Sequence, residues 1–353
     1  MEYKKEFENL LEHLIAEGGS DIHLTESRPP IIRVSGFLIP LVNYKPLTKD
    51  DTKSFMEIAL RDEDRQFFLS SKEVDFSYDF KGKARFRGNC YFQKGGVAIS
   101  LRFIPKKVRS IAELGLPKIL ESFTQLQQGF FLVVGPMGHG KSTTLAAMVE
   151  HINENRAEHI ITIEDPIEYI FEPKSSFVDQ REVRQDTNDF YSALTSTFRQ
   201  DADVILIGEM RDLSTISAAV TAAETGHLVF STLHTNNASQ TIDRIIDSFP
   251  PTQQDQVRVQ LSGSLTGIFS QRLIPRISGG LVPAYELLIN DTAVSNLIRE
   301  KRTHEIANAI ETGSQRGMVD MNRCLADLVR KGEITAENAY LYSLNPKSLE
   351  RFI

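Results

Sequence analysis

The chain has 353 residues, 41% apolar and 25% charged, with 40 Lys plus Arg against 47 Asp plus Glu for a formal charge of −7. At roughly 150 residues per domain this is an ordinary globular composition for about two domains, which excludes a disordered chain and a miniature scaffold. The acidity argues against a chain whose main task is to grip nucleic acid or an anionic membrane, since both need a net basic footprint.

Phe7, Leu10, Leu11, Leu14 and Ile15 recur at helical spacing, so an amphipathic helix is expected there, stopped by Gly18-Gly19. From Ser20 to about Ile104 the pattern changes to short strands with turn signals: Ile31 to Val34, Ser35-Gly36, Phe37 to Ile39, and the strict alternation of Val74 to Phe80 before Lys81-Gly82-Lys83. A small α+β domain is therefore expected over 1–104. The polar stretch Pro105-Lys106-Lys107-Val108-Arg109-Ser110 reads as an inter-domain linker, taken as 105–114. Over 115–353 the pattern is α/β. Continuous apolar strands Phe130 to Val134, Ile160 to Ile163, Val204 to Ile207 and Leu228 to Phe230 alternate with helix-like stretches, as buried parallel strands do, and from about Asp291 only helices are expected.

Two strands of the small domain form a hairpin. Ala84 to Phe92 and Val97 to Ile104 flank Gln93-Lys94-Gly95-Gly96, with glycine available for positive φ. Alternation puts Phe86, Cys90 and Phe92 on one face and Arg85, Arg87 and Asn89 on the other, while Arg102 opposes Val97, Ile99, Leu101 and Phe103. Arg87 and Arg102 then share a face as direct or diagonal neighbours, which is destabilising unless an anion lies between or beside them. A nucleotide phosphate or nearby Asp and Glu side chains would serve.

Gly135-Pro136-Met137-Gly138-His139-Gly140-Lys141-Ser142-Thr143 satisfies GxxxxGK[ST], after an apolar strand and before a helical run. Glycines let successive N–H groups point at phosphates, the helix N-terminus adds partial positive charge, Lys141 neutralises phosphate and Ser142 supplies a Mg²⁺ ligand. These nine residues, Gly135, Pro136, Met137, Gly138, His139, Gly140, Lys141, Ser142 and Thr143, are the candidate nucleotide contacts. His139 is assigned no chemistry, and a solvent-facing or nucleotide-edge position is equally open to it. The strand Ile160 to Ile163 ends in Glu164-Asp165, and Val204 to Ile207 ends in Gly208-Glu209, so carboxylates stand at the sheet edge where ligands of open α/β folds bind. Such groups can orient water and hold a metal, or be no more than solvated strand ends. His227 and His234 bracket the last apolar strand. No third ligand at metal spacing supports zinc.

The segments GPMGHGKSTT, ITIEDPIEY, VILIGEMRD and AAETGHLVFSTLHTN, in this order and spacing, resemble those of the secretion-type P-loop ATPases that power type IV pili and type II secretion. The resemblance covers nearly the whole chain and implies an α/β protein, with a small N-terminal α+β (PAS-like) domain, then a RecA-like ATPase domain with a helical C-terminal part. It implies that Glu164 is the general base and that Glu209 is the Walker B carboxylate holding Mg²⁺ with Ser142, directly or through water. His227 and His234 would form a pair reporting on the γ-phosphate, and Arg87 and Arg102 would reach the nucleotide as arginine fingers.

Within the family the chain looks like the type IV pilus retraction ATPases (PilT-like). Its N-terminal region is short, and Asn296-Leu297-Ile298-Arg299-Glu300 resembles a retraction-type segment. The two cysteines, Cys90 and Cys324, leave no room for the tetracysteine zinc site of the assembly and secretion members. They also fit a reducing compartment. The phosphate loop departs from the usual Thr-Gly-Ser at Met137-Gly138-His139. The resemblance further implies an ATP- and Mg²⁺-dependent homohexamer at the inner-membrane pilus platform protein, with a paralogous accessory ATPase as a further partner and no nucleic acid. No apolar run approaches the ~18 residues of a membrane span, so a cytoplasmic protein without membrane insertion is expected. A pilus assembly or type II secretion ATPase, or an accessory nucleotide-binding ring subunit, are the alternatives.

Overall fold

The computed structural model describes residues 2–34, 36–104 and 107–353. Ser35 of the expected turn and Pro105-Lys106 of the expected linker lie outside these. Two compact units are formed, Met1–Lys107 with Pro166–Ile170, and Val108–Asp165 with Phe171–Ile353.

The first unit contains α1 (Glu2–Ala16), β1 (Asp21–Thr25), β2 (Ile31–Val34), β3 (Phe37–Pro40), α2 (Lys49–Ala59), α3 (Asp62–Ser71), β4 (Glu73–Phe80), β5 (Ala84–Gln93) and β6 (Gly96–Ile104). The strands make one antiparallel sheet in the order β3-β2-β1-β6-β5-β4. Phe7, Leu10, Leu11 and Leu14 of α1 are fully buried, as their spacing requires, and pack in one core with Phe55 of α2 and Phe86 and Cys90 of β5. Phe92 lies on the same side, stacked on the core residue Phe68 of α3 at 4.6 Å, and is 37% exposed near the turn end of the hairpin. Helix α2 buries Thr52, Phe55, Met56 and Ala59 on one face, and a Thr48–Asp51 capping box starts it.

The second unit contains α4 (Leu120–Thr124), β7 (Gly129–Val134), α5 (Lys141–Asn155), β8 (His159–Glu164), β9 (Phe177–Glu182), α6 (Phe190–Thr197), β10 (Val204–Ile207), α7 (Leu213–Glu224), β11 (Leu228–Leu233), α8 (Ala238–Asp247), α9 (Pro251–Ser264), β12 (Leu265–Pro275) and β13 (Leu281–Ile289). It ends in α10 (Thr292–Arg299), α11 (Ile306–Thr312), α12 (Met321–Arg330), α13 (Ala336–Tyr342) and α14 (Pro346–Leu349). The sheet order is β13-β12-β7-β11-β10-β8-β9, parallel except for β13. β7, β10 and β11 are buried along their full length, which is why their apolar runs are continuous. β9, β12 and β13 escape the same pattern because polar residues such as Gln180, Gln271 and Glu286 interrupt them.

The 108–114 part of the expected linker belongs to this second unit, where Ile111 is buried and the Leu116 N–H closes a turn on the Ile111 carbonyl. Conversely, Pro166–Ile170 leaves the ATPase sequence and joins the first unit. There Ile167 accepts from Arg85 Nε at 3.2 Å.

Candidate active site

Val134 ends β7, and Lys141 begins α5. Between them Gly135, Gly138 and Gly140 hold φ of 145°, 78° and 78°, conformations a side chain disfavours. At Gly135 the demand is also steric, since a Cβ there would stand 2.3 Å from the Gln271 carbonyl oxygen. Gly140 caps α5, so the first N–H groups of the helix face the loop and make an anion cradle. The Lys141 side chain is buried, and its ammonium donates to the carbonyls of Gly135 and Pro136, both at 2.9 Å, and to His234 Nδ1 at 3.3 Å. Ser142, first in the helix after Lys141, is exposed, as is Met137; Pro136 and Thr143 are half-buried.

The parallel register Ile163↔Ile207 brings the ends of β8 and β10 side by side. The Gly208 N–H bonds to the Ile163 carbonyl at 2.8 Å, and Thr232 Oγ1 donates to the Gly208 carbonyl at 2.7 Å, which ties in the end of β11. Glu164 is buried at the end of β8, its Oε1 accepting from Thr162 Oγ1 at 2.8 Å and from Gln180 Nε2 at 3.3 Å. Glu209 is in close contact with the Arg211 guanidinium and lies 3.8 Å from His234 Nε2. Lys141, His234 and Glu209 thus form one chain of contacts at the carboxyl edge of the sheet. Burial first, and then the Lys141 ammonium, hold the His234 pKa below its usual value, with Glu209 pulling the other way. The imidazole is neutral near pH 7, Nδ1 accepting from Lys141 and Nε2–H turned toward Glu209.

Within this chain His227 lies apart from His234. It precedes β11, with its carbonyl on the Gly129 N–H at 3.0 Å and its Nδ1 3.0 Å from the Ala222 carbonyl. The length of β11, about 20 Å at ~3.3 Å per residue, separates it from His234, so within one chain the two histidines occupy opposite sheet edges. His139 is half-buried rather than turned to solvent, and its Nδ1 accepts the Leu273 N–H of β12 at 2.9 Å.

Comparison with known proteins agrees with this geometry. The family described as Type II/IV secretion system protein matches residues 81–325. The chain belongs to this family. The type IV pilus retractation ATPase PilT of Pseudomonas aeruginosa is 46% identical over 330 residues, 94% of this chain and 96% of that protein. A twitching motility protein of Neisseria gonorrhoeae is 44% identical over 321 residues, 91% of this chain and 86% of that protein. A crystal structure of the pilus retraction motor PilT with bound ADP superposes with a TM-score of 0.90 at 46% identity, over 98% of each chain. As a member of this ATPase family the chain is a nucleotide-binding P-loop ATPase. Among its described residues no helix is long and apolar enough to cross a membrane.

In the first unit, Arg87 and Arg102 are direct cross-strand neighbours. Arg87 pairs with Glu168 at 2.8 Å and Arg102 with Asp21 at 2.9 Å. Carboxylates therefore occupy the anionic role that the hairpin pattern called for.

Several residues packed around the phosphate loop were not visible in the motifs. A cavity of about 580 Å³ opens beside the phosphate loop, lined by Gly140, Thr143, Thr144, Leu273, Arg276 and Pro283 among others. Gln271, 2% exposed, accepts from Thr144 Oγ1 at 2.6 Å and donates to the His139 carbonyl at 2.9 Å. Glu286 accepts from the first N–H of α8, at Ala238, 2.8 Å away, and so holds the segment that follows His234.

Proposed function

We propose that this chain is the ATP-hydrolysing motor of type IV pilus retraction. The observation that carries the proposal is the Lys141–His234–Glu209 chain at the mouth of a phosphate loop, in a protein so similar along its whole length to PilT. ATP places its phosphates on the loop N–H groups, where their oxygens exchange with the Gly135 and Pro136 carbonyls as partners of Lys141. Its base and ribose enter the adjoining cavity. His234 senses the γ-phosphate through the shared lysine, and Glu164, fixed by Thr162 and Gln180, takes the proton of the attacking water.

The Ser142 hydroxyl and the Glu209 carboxylate are hard oxygen donors that suit Mg²⁺, a cation that keeps several waters and takes phosphate oxygens as further ligands. When bound there, Mg²⁺ neutralises charge on the transferring phosphate. For Arg87 and Arg102 to serve the nucleotide, each must exchange its present carboxylate for phosphate. We infer a homohexameric ring acting on an inner-membrane pilus platform protein from the cytoplasmic side, alone or with a paralogous accessory ATPase. Deletion is expected to leave excess surface pili and abolish twitching. Loss of pili on deletion would point instead to assembly or secretion, and retraction that always requires a paralogue to an accessory ring subunit.

A further inference from the structure

We propose that His139 is a positioning residue for nucleotide binding: its Nδ1 pins the phosphate loop to β12. The strand pairs with β7 only as far as Ser270↔Val134 and then runs on to Pro275, past the point where β7 gives way to the loop. On its other side Leu273 lies opposite Pro283 of β13. The Leu273 N–H points across the gap left by β7, and the His139 imidazole fills that gap as its acceptor at 2.9 Å. Gln271 takes hold of the same residue by its main chain, donating Nε2 to the His139 carbonyl at 2.9 Å while bracing α5 through Thr144. His139 is therefore fixed to β12 by side chain and backbone together. Its neighbours Met137 and Gly138 are exposed. Tyr342 of α13 closes the outer side, its ring edge-on to the imidazole at 6.3 Å.

The consequence for ligand binding follows from what these residues border. Gly140, Thr144, Gln271 and Leu273 all line the cavity beside the loop, so releasing His139 frees the cradle and one cavity wall at once. A loop that must be ordered on binding lowers affinity, whereas one already held does not. The bond requires an unprotonated Nδ1 with the ring proton on Nε2. Burial and the nearby cations Arg272 and Lys141 keep the imidazole in that neutral form. An asparagine Oδ1 stands two bonds from Cβ, as Nδ1 does, and accepts without a proton; an alanine offers no acceptor and leaves the Leu273 N–H unmade.

This inference rests on the ATPase site described above, and the full chain tests it. Steady-state ATP hydrolysis and binding of fluorescent ADP are measured for wild type, H139A, H139N and K141A. H139A is expected to raise KM for ATP about tenfold, equivalent to about 1.4 kcal/mol, with kcat within about twofold. H139N should bring KM back to within about threefold of wild type. An unchanged KM in H139A, or an H139N that matches H139A, overturns the proposal. Should H139A fail to fold, hydrogen exchange at the wild-type Leu273 amide decides: protection is expected, and exchange at the free-peptide rate overturns it. K141A that still binds ADP like wild type would instead overturn the assignment of the phosphate site, leaving the role of His139 a separate matter.

Discussion

Arg87 on β5 stands directly opposite Arg102 on β6, and a different carboxylate holds each guanidinium, Glu168 for the first and Asp21 for the second. The register comes from a two-residue turn in which Lys94 and Gly95 both have positive φ, 49° and 77°, the twist that suits tight hairpins. Like charges facing each other across an antiparallel pair are unfavourable, and the two carboxylates offset the repulsion. Arg102 is 65% exposed, so its pair is of the solvent-screened kind worth about 0–1 kcal/mol. Such a contact is cheap to exchange for a phosphate.

Replacing either arginine therefore separates two roles. If they serve the transition state, R87A and R102A each lower kcat by about 10³-fold or more, as arginine fingers do, with little change in thermal stability. A kcat within twofold of wild type in both variants assigns them to the hairpin alone.

K141A and E164Q divide binding from chemistry. Lys141 neutralises phosphate, so K141A is expected to abolish measurable nucleotide binding. Glu164→Gln retains an acceptor for Thr162 and Gln180 but no longer a base, so kcat should fall about 10²–10⁴-fold with ADP affinity kept. Near-normal turnover in E164Q removes Glu164 from the role of base.

The two histidines are expected to behave differently. His234 touches Lys141 and faces Glu209; His227 is anchored to the end of α7. His234→Ala should lower kcat/KM at least about tenfold, and His227→Ala should leave the ADP dissociation constant within about twofold. Equal loss of ADP affinity in both would show that His227 reaches the nucleotide by some route other than its own chain.

Glu286 carries a pH dependence of stability. Burial pushes its carboxyl pKa up to about 7, against the opposing effects of the Ala238 N–H and Arg272. Between the ordinary carboxyl range and that value the folded chain binds more protons than the unfolded one, so stability falls as pH rises through this window and levels off above it. Glu286→Gln keeps an acceptor for Ala238 without the buried charge. It should raise the melting temperature by a few degrees at pH 8, about 2 kcal/mol, with most of the gain gone at pH 5. A gain that does not change with pH would falsify this account.

The phosphate loop, Glu164 and Glu209 were legible because each closes an apolar strand whose neighbours are parallel, so its place at the carboxyl edge follows from the local run of residues. His227 and His234 looked equivalent for the same local reason, yet the six residues of β11 carry them to opposite edges. Phe92 follows the alternation, stacked on Phe68, although it stays part exposed.

Local patterns thus pointed to two domains, a parallel sheet and the candidate residues of the phosphate site, since chain geometry over a few residues suffices for these. The partners of His139, Arg87 and Glu286 were beyond such patterns. Leu273 is 134 residues from His139, Glu168 is 81 from Arg87, and Glu286 is 48 from Ala238. Contacts at that separation depend on strand register, on where one strand outruns its neighbour, and on which carboxylate packing delivers to a given guanidinium. The −7 charge that opened the question of ligands was silent on these, because it sums over a surface whose important cations, Lys141, Arg87 and Arg102, are each met by a specific partner.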